Sequence, residues 1–333
     1  MEQNNVIQLE ELVQPAALAG TEERETAEKR QPFILANTVE STLEEIRQHH
    51  IIPVFTKDNE PLISHTDFME AAFHAARDLF HGEQILEPAV RISHPIKGRL
   101  PEAKDKPAHL LTDREKTVYY ERMAFVIEIP SIQDTIDGNL LSLTVGGVKA
   151  YNQDNLYSRS NCEQHFKVFI GFKNKVCTNL CVWTDGYLGD LRVQSLGQLK
   201  ASIRILLEGY SQSHHLYHLE RLASYSITES QFAHLIGRLR MYSHLPADMK
   251  ASIKPLLLGD TQIGAAVRDY YRDASFCRNQ EGNINLWKLY NLFTGTNKTS
   301  YIDTFLDRSV NAFDFTEQIR YALENRNTSW YLN

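Results

Sequence analysis

Lys167, Phe169 and Lys173 fall at alternate positions of one stretch, and Lys175 follows two residues on. Successive strand residues project to opposite faces, so this spacing sets ammonium groups and an aromatic ring side by side. Such a face suits one chemistry above others. Unpaired bases stack on exposed rings for roughly 1–3 kcal/mol each while cations follow the phosphates. Lys149, Tyr151, Arg159 and Arg192, with Tyr157 between them, extend the set on neighbouring segments. The competing reading is a sheet face covered by helices, in which Phe169 is simply core.

Other constellations offer less. His214 and His218 stand one helical turn apart, as in a two-histidine metal face, but the glutamate of the metalloprotease arrangement is missing between them. A surface or interhelical histidine cluster is the simpler reading. Cys177 and Cys181 share a strand face, yet four residues of strand span roughly 13 Å, too far for one zinc ion. Packed thiols are the simpler reading there. Asn179, on the same inward face, must be hydrogen-bonded if it is buried, which makes it a candidate structural clasp. Asp154, Asp185 and Asp190, with His165, lie near the basic stretch and could hold Mg²⁺, although loop aspartates are commonly solvated. No GxGxxG, GxxxxGK[ST], GxSxG or HExxH motif occurs, so no catalytic residue, cofactor or metal site is assigned.

The elements that must position these residues follow from periodicity. Gln164–Trp183 reads as two adjacent strands joined across Lys173-Asn174-Lys175, with Phe166, Val168, Ile170 and Phe172 as the core face. Upstream, Met123, Phe125, Ile127 and Ile129 alternate, as do Leu141, Leu143 and Val145, which completes a four-strand antiparallel meander. Gly146-Gly147 marks a bulge or a close backbone approach. Asn37 with Glu40, Ser64 with Asp67 and Thr228 with Gln231 are capping boxes for three helices, the second rich in alanine. A hairpin is expected over 51–64, and 93–113 is a long loop, functional or mobile. After Gly197 the pattern is helical, with further helices near 261–275, 284–294, 300–312 and 315–325. The expected fold is α+β, an antiparallel sheet meander backed by helices on one face and followed by an all-helical C-terminal half. Its parts are an acidic tail (1–32), a sheet-rich region (33–196), a helical region (197–325) and a C-terminal tail (326–333).

Composition bounds the function classes. The 333 residues are 42% hydrophobic, a globular composition. No run is long and apolar enough to span a bilayer and the N-terminus lacks secretory features, so a cytoplasmic protein with free thiols is expected. The net charge is −7, and residues 1–50 hold ten acidic against four basic side chains. Residues 149–204 hold eight basic against four acidic. This excludes a protein that coats duplex DNA by bulk charge and allows a restricted basic track.

Four stretches carry a likeness: FKNKVCTNLCVW, NLWKLYNLFTGTNKTSYIDTFLDRSVNAFDF after Asn285, DNEPLISHTDFMEAA and RISHPIKGRLPEA. Over about 33–325 the chain resembles an uncharacterised family encoded on mobile and conjugative elements of Bacteroidetes. Cys177 and Asn179, with Trp287 and Asn291, are also similar, more remotely, to the phage/plasmid-like proteins of prophages and plasmids. The resemblance implies a mobile-element setting and a structural role for those four residues, and supplies no activity. The resulting expectation is a non-catalytic accessory protein that binds single-stranded nucleic acid, in the manner of an annealing factor and without a cofactor, with homo-oligomer formation open. The alternative is a protein-binding counter-defence or regulatory factor that uses the acidic tail and the 93–113 loop. A third is a metal-dependent enzyme on nucleic acid near Asp185, Asp190 and His165.

Overall fold

The computed structural model describes residues 32–52, 62–154 and 163–332. The acidic segment 1–31, most of the 51–64 hairpin, Tyr157, Arg159 and Cys162 lie outside the described residues. In chain order the elements are β1 (Val39–Ser41), α1 (Leu43–His49), α2 (His65–Leu79), β2 (Ala89–Ile92), β3 (Ile96–Arg99), β4 (Lys116–Tyr119), β5 (Arg122–Ile136), β6 (Asn139–Ala150), β7 (Gln164–Asn174) and β8 (Leu180–Val193). Then come α3 (Leu196–Gly209), α4 (Gln212–Ala223), β9 (Ser226–Ile227), α5 (Glu229–Tyr242), α6 (Ala247–Lys250), α7 (Asp260–Arg272), β10 (Ile284–Asn285), α8 (Leu286–Asn297) and α9 (Ile302–Glu324). The fold is α+β, as the alternation and the later helical periodicity require. Six strands pair antiparallel in the order β1-β2-β5-β6-β7-β8, with β5 to β8 as the meander.

Both faces of this sheet are covered, which corrects the one-sided arrangement expected from sequence. The odd residues of β5 and β6 and the even residues of β7 point to α2, α3, α4 and α8, where Phe68 packs edge-on to Phe125 and Phe166 at 5.0 and 4.9 Å. The opposite face, with Ala124, Val126, Val148, Phe169 and Val182, lies under Phe33, Ile34 and the first half of α9. That helix is one element of 23 residues where the sequence suggested two. Its first half supplies Phe305, Leu306 and Val310 to one core, and its second half supplies Phe313, Phe315 and Ile319 to the other.

Local signals fared unevenly. Ser64 with Asp67 and Thr228 with Gln231 form the expected capping boxes. Thr42 with Glu45, and not Asn37 with Glu40, caps α1, because Asn37 turns the chain at φ 26° and Val39 to Ser41 then pair as β1. The register of β5 on β6 runs unbroken through Gly146 and Gly147, its irregularity falling between Ile129 and Gln133. The glycines serve close approach: a Cβ on Gly146 would meet the Phe125 carbonyl oxygen at 2.3 Å, and one on Gly147 the Phe68 ring at 2.4 Å. Residues 326–332 are no loose tail, since Tyr331 is buried against Phe315 and donates its hydroxyl to the Lys254 carbonyl at 2.8 Å.

Candidate functional site

The four residues carried by the motif resemblance meet at the turn from β7 to β8. Pairing of Lys173 with Leu180 closes the strands, and the chain between them folds back on the Asn174 side chain, which accepts the Val176 N–H at 2.9 Å. Asn174 and Asn179 are buried and point at α8. Asn179 donates to the Asn291 carbonyl at 2.9 Å and to its side-chain oxygen at 3.3 Å, and Asn174 donates to the same oxygen at 3.2 Å. Asn291 in turn donates to the Trp287 carbonyl at 2.9 Å, and the Cys177 thiol approaches Asn291 Oδ1 at 3.8 Å. The Trp287 indole is anchored on Asn139 in the β5–β6 hairpin at 2.8 Å. Three side-chain amides therefore clasp strand to helix, as a buried amide must. Burial pushes the Cys177 thiol up to about 11, so it is protonated and a poor nucleophile.

Thr178 holds this turn in the left-handed region at φ 58°, a strained setting for a β-branched residue. It is fixed through its hydroxyl, which receives Lys298 Nζ at 2.9 Å and contacts the Pro32 carbonyl at 3.3 Å. Lys298 also donates to the Cys177 carbonyl and is only 4% exposed, and burial lowers its pKa. On the α9 face nearby, Lys173 and Lys175 both bind the Glu128 carboxylate, which Ser142 also reaches at 2.9 Å. Burial alone would raise the Glu128 carboxyl, but the two lysines hold it at about 2.

The remaining candidates do not form one open track. Lys149 and Tyr151 belong to the α2 face, whereas Lys167, Phe169 and Lys173 belong to the α9 face, since Val148 and not Lys149 pairs with Lys167. Phe169 is 1% exposed under α9. Lys167 is buried on Asp307 and on the Asp303 carbonyl, both at 2.5 Å, and Tyr187 donates to the same Asp307 at 2.5 Å. Lys149 pairs with Asp154 at 2.6 Å below the rings of Phe166 and Tyr151, and burial lowers it to about 8 against the pull of Asp154. Tyr151 itself is packed among His50, His65 and Tyr119. Arg192 is open but pairs with Asp190 at 2.9 Å. The expected stacking platform is thus interior, because α9 supplies the apolar cover and Asp307 to the sheet face, and β5 supplies Glu128.

The metal readings find no cluster: among the described residues no three His, Cys, Asp or Glu side chains are grouped to hold an ion. His214 and His218 pack their rings on Trp183 at 4.9 and 5.1 Å, and His218 pairs with Glu317 at 3.2 Å. Sequence reasoning missed Glu128, Lys298, Asn174 and Asp307. A signal existed for Glu128, the one acid inside the apolar run of β5, since a central-strand carboxylate has to be paired. Among the described residues no helix is long and apolar enough to cross a membrane.

No curated protein and no solved structure matches the chain. A family model described as "Domain of unknown function, B. Theta Gene description" matches residues 17–332. The match takes in the sheet, the clasp and every helix among the described residues, so the chain belongs to the DUF3871 family.

Proposed function

We propose that this protein is a non-catalytic interaction factor of a mobile element, with a regulatory or counter-defence role, and that its contact organ is the arm between β2 and β5. The observation that carries this reading is the arm's exposure. From His94 to Tyr120 the chain forms β3, β4 and two short 3₁₀ turns, yet Ala103 is its one buried residue. Val118, Tyr119 and Tyr120 at its base bind the body through Ile51, His50 and Tyr151, but beyond them the arm is held by its own bonds, such as Lys106 to Glu115 at 2.8 Å and Thr112 N–H to Glu115 at 2.7 Å. Ordering some two dozen residues costs chain entropy that burial here does not offset, so the gain must come from what the arm meets. Ile96 and Leu110 are 50% and 54% exposed among Lys97, Arg99, Lys104 and Arg114. Aliphatic anchors with a charged rim suit a protein surface of acidic character, whereas single-stranded nucleic acid calls for open aromatic faces. The mobile-element setting rests on the family resemblance alone.

The test is cross-linking of the full chain in lysate of its host, beside a variant carrying Ile96→Asp and Leu110→Asp. A partner cross-linked through the arm and lost with the variant supports the reading. Retention of that partner by the variant, or cross-links confined to other faces, overturns it. A single-stranded oligonucleotide bound equally by both forms would return the nucleic-acid reading to first place.

A further inference from the structure

We infer that the turn between β7 and β8 is an anion site that takes a phosphate group. This is independent of the arm. Three ammonium groups meet at this turn: Lys173 and Lys175 share the single carboxylate of Glu128, and Lys298 grips the turn between them and β8 through the Cys177 carbonyl and the Thr178 hydroxyl. Lys298 binds only neutral oxygens, the Cys177 carbonyl and the Thr178 hydroxyl, and among the described residues no carboxylate lies within ion-pair distance of it. A buried cation without a counter-charge is strongly unfavourable. Lys298 caps the C-terminal end of α8, which offers about half a negative charge. Asp273, whose charge reaches Cys177, is engaged by the N–H groups of Ser275 and Phe276 at 2.8 Å. Among the described residues more than one positive charge remains uncompensated.

The excess is reachable and held still. The Lys175 side chain is 29% exposed and the Lys173 side chain 15%, and Val176 at the tip is 55% exposed, so the charge opens to solvent along the turn. The turn is fixed by the Asn174 bond to Val176 and by the Lys298 grip on Thr178. Lysines act as point charges without the fork that selects a single carboxylate, and a phosphate carries enough charge to meet an excess above one. The phosphate can belong to a free small anion or to a nucleic-acid backbone.

The experiment follows the melting temperature of the full chain in inorganic phosphate, with ionic strength held constant by chloride, and the backbone amide shifts of the same samples by NMR. Phosphate at ten times its Kd is expected to raise the Tm by about 3 °C. The shifted amides are expected to cluster at Lys175 to Thr178. Lys175→Gln leaves Glu128 its bond to Lys173 and is expected to lose at least half of the phosphate effect. An oligothymidylate that moves the same amides identifies a nucleic-acid backbone as the source, and a response to inorganic phosphate alone identifies a small anion. No effect beyond chloride, the same effect in Lys175→Gln, or amide shifts elsewhere would overturn the site; the amide map on the unaltered chain decides even if the variant fails to fold.

Discussion

Asn291 joins two asparagines that lie more than a hundred residues away in the chain, and its replacement tests the clasp directly. Asn291→Leu fills the space but removes the side-chain oxygen that accepts from Asn174, leaving that amide buried without its acceptor, while Asn179 keeps its bond to the Asn291 backbone carbonyl. Such a loss costs about 1–3 kcal/mol, so the variant is expected to lose about 2 kcal/mol in urea unfolding. A loss below about 1 kcal/mol would show that the amides find other partners. His215 makes the residue-scale prediction about pH. Burial, aided by His218, lowers it from 6.5 to about 3, and burial lowers His50 to about 4. The unfolded chain therefore binds more protons than the native one between these values, and stability falls as pH drops below 6.5. Above neutrality the two histidines contribute no slope. His215→Gln can keep a hydrogen bond to Tyr210 and is expected to flatten the stability profile between pH 4 and 6 by about 1.4 kcal/mol per pH unit. An unchanged slope would mean that His215 titrates normally in the native state.

At the scale of elements, α9 decides what the sheet can do. Its Asp307 receives Lys167 and Tyr187, and the two ends of the ion pair differ in burial: the Lys167 side chain is 7% exposed and that of Asp307 40%. Removing the exposed partner strands the buried one, so Asp307→Ala is expected to cost about 3 kcal/mol while Lys167→Met costs under about 1.5. Equal losses in denaturant unfolding would refute this asymmetry. Charge reversal follows the same logic. Lys167→Glu with Lys173→Glu would put like charges beside Asp307 and Glu128 inside the protein, so it is expected to lower the melting temperature sharply and not merely to alter a surface. The arm behaves in the opposite way. Replacing 98–117 with a short glycine-serine turn removes one buried residue, Ala103, and is expected to move the Tm by less than about 3 °C.

For the molecule as a whole, the shared helix predicts one unfolding event. The cores on the two sheet faces both draw on α9, and Tyr331 packs beyond its end. Residues 32–332 are therefore expected to melt in a single calorimetric transition whose calorimetric and van't Hoff enthalpies agree. Two resolved transitions would assign the sheet and the helices to separate units. A chain ending at Ser300 would bare Phe169, Val182 and Val148 and is expected to be insoluble or molten.

The order of strands and helices, the meander, two of three capping boxes and the inward face of Asn179 were legible in the sequence, because each depends on spacing within a few residues. Period two and period 3.6 are local facts of backbone geometry. Even the four motif residues could be named as structural, though not that Asn291 would be the acceptor for Asn179. Tertiary structure alone decided that neither sheet face met water. Lys167-Phe169-Lys173 reads alike whether solvent or a helix lies above it, and the answer sits more than a hundred residues later, in Phe305, Leu306 and Asp307 of α9. A charge is exposed or buried according to the partner that folding brings to it, and that partner has no fixed distance along the chain.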